Sequence, residues 1–342
     1  MLVDHDLGEG LGQLALMLAV IFWMYGGYAW LTNQIATDRA LHRGVLVAGM
    51  AGYLVLALAI PDAFGDAGTA FGLAYLAVVL VHAGLFSRAP SEGARRGIRA
   101  IAPFNLATAA LVLAGGLAGG TAQYVLWAVA AVAEWVTPRL VGVSSFEVDV
   151  AHFVERHGLV VIVAIGESVV AIGIGAEGLA VDVGLAAVAV LGLLLSTCLW
   201  WAYFGGDDVR AEHAMAAAAG PRRARMAVDG FGYAHLALLA GIIVVAAGIK
   251  AVLAHPGDEL EAKQAVQLAG GAALFMAGDV LFRRVMGIAQ GPWRALAAVA
   301  VLVSIPVGLE LSAAAQLVVV VAVLGAALAA EARSSPPRAA VA

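Results

Sequence analysis

Apolar residues along this chain come in continuous runs of about 20, the length an α-helix needs to cross a hydrocarbon core of roughly 30 Å, with short polar gaps between them. The runs predict spans over 11–32, 44–61, 69–87, 100–119, 121–141, 157–176, 182–204, 229–254, 265–282, 293–309 and 312–331. They are unbroken stretches and not ten-residue segments of alternating polarity, so helices and not barrel strands are expected. The fold class is all-α, a polytopic transmembrane helix bundle of about 11 spans. A single transmembrane domain over 11–331 is expected, preceded by an extracytoplasmic segment over 1–10. Past it, Arg333, Ser334, Ser335, Pro336 and Pro337 read as part of a short disordered tail over 332–342.

The polar gaps set the orientation. If the spans simply alternate, Arg39, Arg43, Arg88, Arg95, Arg96, Arg99, Arg139, Arg156 and Arg210 fall on one side, together with Arg222, Arg223, Arg225, Arg283, Arg284, Arg294, Arg333 and Arg338. Only Lys250 and Lys263 are left opposite. The positive-inside rule makes the arginine side the cytoplasm, which puts the C-terminus inside and the N-terminus outside. The first ten residues carry Asp4, Asp6 and Glu9 without a Lys or Arg, which fits no cleavable signal peptide.

Composition agrees with lipid as the solvent. The 342 residues are 63% hydrophobic and 13% charged, where a soluble domain is about a quarter charged. The net charge of −5 is small and resides in loops, so nothing argues for nucleic acid or an acidic partner. Cys198 is the single cysteine, which excludes an intrachain disulfide. Arginine far outnumbers lysine, as in GC-rich bacterial genomes, and the expected location is the bacterial cytoplasmic membrane. The expected partners are the lipid bilayer and an unidentified small molecule or ion.

Ionisable residues inside the spans mark candidate chemistry, because charge in hydrocarbon is costly and is usually retained for ion or proton routes. Glu167 lies about 15 Å into its span by the rise of a helix. Ser168 beside it offers a hydroxyl, and Gly166, Gly173 and Gly175 allow close approach of a neighbour. These two, with His235 as a possible proton relay and Tyr233 near it, form the leading proton- or cation-binding set; the alternative is helix-to-helix hydrogen bonding. Glu155, Arg156 and His157 stand at the cytoplasmic end of the Glu167 span, either as an entrance or as an interfacial cap. His82, Glu134, Asp279 and Arg283 are secondary candidates. Glu134 is expected to pair with Arg139, and Asp279 with Arg283 at i and i+4.

Other chemistries are excluded by spacing. His152 and His157 are five apart and turned roughly 140° from each other at 100° per residue, so they make no zinc-protease pair. Lys250 lies near a span end and snorkels, which argues against a retinal-type Schiff base. No phosphate-binding loop such as G-x-x-x-x-G-K-[ST] occurs, which argues against ATP-driven transport by this chain, and no cofactor is expected. The seven Trp residues fall largely near span ends, as an interfacial belt requires.

Three stretches resemble the bacterial low temperature requirement A (LtrA) family: Trp30-Leu-Thr-Asn-Gln34, His152-Phe-Val-Glu-Arg-His-Gly158 leading to Ile165-Gly-Glu-Ser168, and Leu199-Trp-Trp-Ala-Tyr-Phe204. Tyr233-Ala-His235 and Ala247-Gly-Ile-Lys250 extend the resemblance over essentially the whole chain. The family is named for growth in the cold, and the resemblance implies no defined activity. It also implies a helix ahead of the first span, opening with a Glu-Leu-Phe-Phe-Asp-Leu type of motif that is absent here.

Counting such a helix first gives a 12-span, six-plus-six architecture with parallel halves. Trp23, Tyr28 and Trp30 would then answer to Trp200, Trp201 and Tyr203, and Leu85-Phe-Ser-Arg88 to Leu281-Phe-Arg-Arg284. The functional reading is a secondary transporter or permease-like protein of unknown substrate. Its alternatives are an intramembrane enzyme acting on lipid or a lipid-linked substrate, and a non-catalytic stress-adaptation protein of the membrane.

Overall fold

The computed structural model describes residues 2, 5–34, 40–142, 148–289 and 291–334. Asp4, Arg39, Arg338 and the tail beyond Ser334 lie outside them. The order of helices is α1 (Leu7–Gln34), α2 (Ala40–Ala59), α3 (Gly68–Phe86), α4 (Glu92–Ala118), α5 (Gly120–Val141), α6 (Val150–Gly175) and α7 (Val183–Phe204). Then follow α8 (Asp207–Ala217), α9 (Gly220–Met226), α10 (His235–Ala254), α11 (Ala262–Met286), α12 (Trp293–Ala300), α13 (Ile305–Glu310) and α14 (Ala313–Ser334). A π-helical turn, Ala227–Ala234, joins α9 to α10, and a 3-10 turn, Val301–Ser304, joins α12 to α13. Among the described residues there is no strand, and 11 helical segments are long and apolar enough to cross a membrane.

Several helices outrun the apolar runs that predict them. α4 starts at Glu92 and not near 100, because the Ser91 hydroxyl caps it by accepting from the Ala94 amide, and Arg95 ties Glu92 to the carbonyls of Ala89 and Pro90. α14 continues through Arg333 to Ser334, so the first part of the expected tail is helical.

The chain divides into two compact units. Unit 1 runs from Val3 to Phe153 and takes in 216–228; unit 2 holds 154–215 and 229–342. In unit 1, α3 packs on α2 and α4, α4 packs on α5, and α1 lies against α3 and α5. In unit 2, α11 packs on α10 and on the α12–α13 segment, that segment packs on α14, and α7 lies against α11 and α14. The two schemes share these packings when α1–α5 are set in order beside α7, α10, α11, α12–α13 and α14, and unit 2 adds contacts of α10 with α7 and α14 and of α11 with α14.

The match extends to single residues. All ten buried positions of α3 fall on buried positions of α11 at one constant spacing, from Gly68 on Ala265 through Tyr75 on Ala272 and His82 on Asp279 to Phe86 on Arg283. α5 and α14 are each 22 residues long and carry Gln as the fourth residue. Gln123 donates to the Ala63 carbonyl at 2.6 Å, and Gln316 donates to the Ala265 carbonyl at 2.9 Å. Thr108 donates back to the Asn105 carbonyl, as Ser304 does to that of Val301.

Glycines mark the close approaches. A Cβ on Gly52 would press on the Val78 side chain, and one on Gly241 on the Phe275 backbone; Val78 and Phe275 are themselves matched positions. The Gly27 carbonyl accepts from His82, and that of Ala202 from Arg294. α6 stands outside this correspondence.

Candidate functional site

Unit 2 gathers its buried titratable groups into two clusters. In the first, His235 opens α10 just past the π-turn, fully buried. Its Nδ1 lies 2.8 Å from the Gly230 carbonyl, five residues back, and its Nε2 lies 2.9 Å from the Tyr203 hydroxyl. A carbonyl only accepts, so Nδ1 carries the proton and, in the neutral ring, Nε2 accepts from Tyr203. His157 of α6 is also buried, and its ring centroid lies 5.6 Å from that of His235. Phe231 and Phe282 pack around the His235 ring. π-turns recur at functional sites because the widened turn re-aims side chains, here placing His235 against Tyr203. The arrangement is a histidine pair in an aromatic surround.

The second cluster is ionic. Arg294 Nη1 reaches Asp279 at 2.6 Å, Asp207 at 2.8 Å and the Ala202 carbonyl at 2.8 Å, while its Nε reaches Glu331 at 2.7 Å. Arg283 bridges Glu331 at 2.5 Å and Asp207 at 3.3 Å, and Arg210 takes the other oxygen of Asp207. Asp207 and Asp279 have no solvent-exposed surface, and both Arg283 and Arg294 are buried. The network ties the start of α8 to α11, α12 and α14. In unit 1 the positions matched to Arg283 and Arg294 are the apolar Phe86 and Ile98, while the one matched to Asp279 is the buried His82.

Unit 1 holds a buried carboxyl instead. Glu134 is 1% exposed, and its Oε1 accepts from the Tyr75 hydroxyl at 2.6 Å. Thr108 lies beside it, and Trp23 donates to Asn105 Oδ1 at 3.1 Å on the neighbouring turn of α4. His82 is buried on α3 with Nε2 on the Gly27 carbonyl.

Several expectations are corrected by these placements. Glu167 is on an exposed face of α6; the buried positions run through Val161, Ile165, Ser168, Ala171 and Gly175, so Ser168 points inward and its neighbour does not. The Ser168 hydroxyl is buried without a hydrogen-bond partner. Of the three expected glycine contacts only Gly175 makes one, against the Lys250 carbonyl and Leu253. The charged entrance splits: Glu155 is exposed, Arg156 half-buried, and His157 turns inside to His235.

His235 is therefore not a lone histidine, and its hydroxyl partner is Tyr203. Glu134 goes to Tyr75 and not to Arg139, because its face of α5 is turned to α3. Asp279 pairs with Arg294, and Arg283 with Glu331 and Asp207, so the i, i+4 pairing gives way to contacts between helices. Three tryptophans away from the span ends, Trp23, Trp127 and Trp135, donate to partners inside unit 1.

Asp207, Arg294, Glu331, Tyr75, Asn105 and Thr108 carry these clusters without having been singled out in the sequence. Asp207 and Arg294 sit at span ends, where a charge reads as a solvated loop residue. Among the described residues, no group of three or more His, Cys, Asp or Glu is placed to hold a metal ion.

Residues 1–329 match the family model described as bacterial low temperature requirement A protein. The chain is similar to an uncharacterized protein of Rhizobium meliloti (strain 1021), with 30% identity over 298 residues that cover 82% of this chain and 71% of that protein. No solved structure matches the chain.

Proposed function

The chain belongs to the bacterial low temperature requirement A family, and on that premise we propose that it is a secondary transporter, permease-like in architecture, whose working groups exchange protons. The observation that carries this reading is the helix-by-helix likeness of the two units, down to matched glutamines and glycines. Internal repeats of several spans are the usual way in which secondary transporters are built. The His157–His235–Tyr203 cluster supplies a proton-accepting site within one repeat, and Glu167 is left outside it. The remaining loop arginines support a place in the cytoplasmic membrane with the C-terminus inside. The substrate is a small molecule or ion.

The test uses purified protein in liposomes loaded with a pH-sensitive dye and held under an imposed pH gradient. Pools of small metabolites and inorganic ions are added outside. The expected result is a solute-dependent proton movement that needs the protein and is lost in His235→Asn. Release of a lipid product without any flux would replace this reading with the enzyme.

A further inference from the structure

The surroundings of Glu134 form a closed hydrogen-bond account. Glu134 Oε1 takes the only proton of the Tyr75 hydroxyl. Thr108 Oγ1 spends its proton on the Asn105 carbonyl at 3.0 Å. The Asn105 side chain is oriented by the Trp23 indole, which can only donate and therefore fixes Oδ1 as its partner. Glu134 Oε2 is buried and receives no donor. Among the described residues no ion pair reaches the carboxyl. Of the titratable groups on the helices packed around it, Tyr75 touches it and His82 is engaged with Gly27.

A carboxylate here would bury a full charge with one oxygen unsatisfied, which costs several kcal/mol in a low-dielectric interior. A neutral carboxylic acid avoids the cost of burying a full charge at an oxygen that no donor reaches. We propose that Glu134 is a proton-binding site of unit 1, occupied at neutral pH, with the Tyr75 hydroxyl as its fixed hydrogen-bond donor. The proposal goes beyond the transporter reading and does not rest on it.

The internal likeness of the two units separates this site from ordinary helix stitching. At the matched places in unit 2, Tyr75 is replaced by Ala272, Glu134 by Ala327 and Asn105 by Val301. Ser304 keeps the backbone bond that Thr108 makes. The same helix contacts thus close without any carboxyl, so packing alone does not call for Glu134.

Infrared difference spectroscopy of the full chain in lipid tests the proposal whether or not any solute is carried. At neutral pH the wild type minus Glu134→Gln difference should show the carbonyl stretch of a protonated carboxyl. In Tyr75→Phe, which keeps the carboxyl and removes one donor, that band should persist at a shifted frequency. A difference spectrum with only carboxylate bands would overturn the proposal. If Glu134→Gln does not fold, Tyr75→Phe decides alone, and an unshifted protonated-carboxyl region would contradict it.

Discussion

Arg294 brings two buried carboxylates and a carbonyl within reach of one nitrogen, whose two hydrogens they share, and Glu331 within reach of another. Removing it strands Asp279 and Asp207, and breaking a buried pair costs about 3–5 kcal/mol. Arg294→Met should therefore lower the thermal midpoint in detergent sharply. Adding Asp279→Leu should recover part of the loss, because it removes one of the two carboxylates left without their cation. A single variant as stable as wild type would show the network to be dispensable. At this scale the sequence gives depth and not direction. Counting residues into a span places Glu167 near the midplane, yet one step of 100° separates it from the inward Ser168. In a soluble helix the polar face reveals which way a residue points. A membrane helix is apolar toward lipid and toward its neighbours alike, so that signal is missing. For the same reason Glu134 reads like a residue near Arg139 until α3 is seen to bring Tyr75 against it.

Helices pack closely where a glycine removes the Cβ, and the two units use this at the matched positions Gly52 and Gly241 with different severity. A Cβ at Gly241 would lie 2.5 Å from the Phe275 amide nitrogen, which cannot move without its helix, whereas at Gly52 it would meet a Val78 methyl at 2.7 Å. Gly241→Ala should cost more than Gly52→Ala, with overpacking on the order of 1–3 kcal/mol at the rigid contact. Thermal unfolding of the two variants checks the ranking, and equal midpoints would contradict it. The spans themselves were legible, because lipid demands long apolar helices and little else satisfies their backbone. Their ends were less so: α4 gains its first turns from the Ser91 cap and the Glu92–Arg95 pair, polar features that a search for apolar runs passes over. The π-turn before His235 leaves no mark in the residue pattern of Ala227–Ala234.

On the scale of the molecule, two units share one plan and differ in what they bury. Unit 1 keeps a carboxyl with neutral partners, and unit 2 keeps two histidines and an ionic network. The likeness was only partly visible in the sequence. Tyr28 and Tyr203 do fall on matched positions, but the Leu-Phe motifs are offset by one, since Leu85 and Phe86 lie where Phe282 and Arg283 do. Short apolar words repeat easily by chance, and only the buried register fixes the alignment. If the protein moves solute with protons, groups inside the membrane must gain and lose them. Charge displacement after a pH jump, recorded from the reconstituted protein on a solid-supported membrane, tests this most directly. The account predicts a transient current in the wild type, reduced in Glu134→Gln and in His235→Asn and nearly absent when both are combined. A folded wild-type protein with no transient, or a double variant whose current equals that of the wild type, would contradict it.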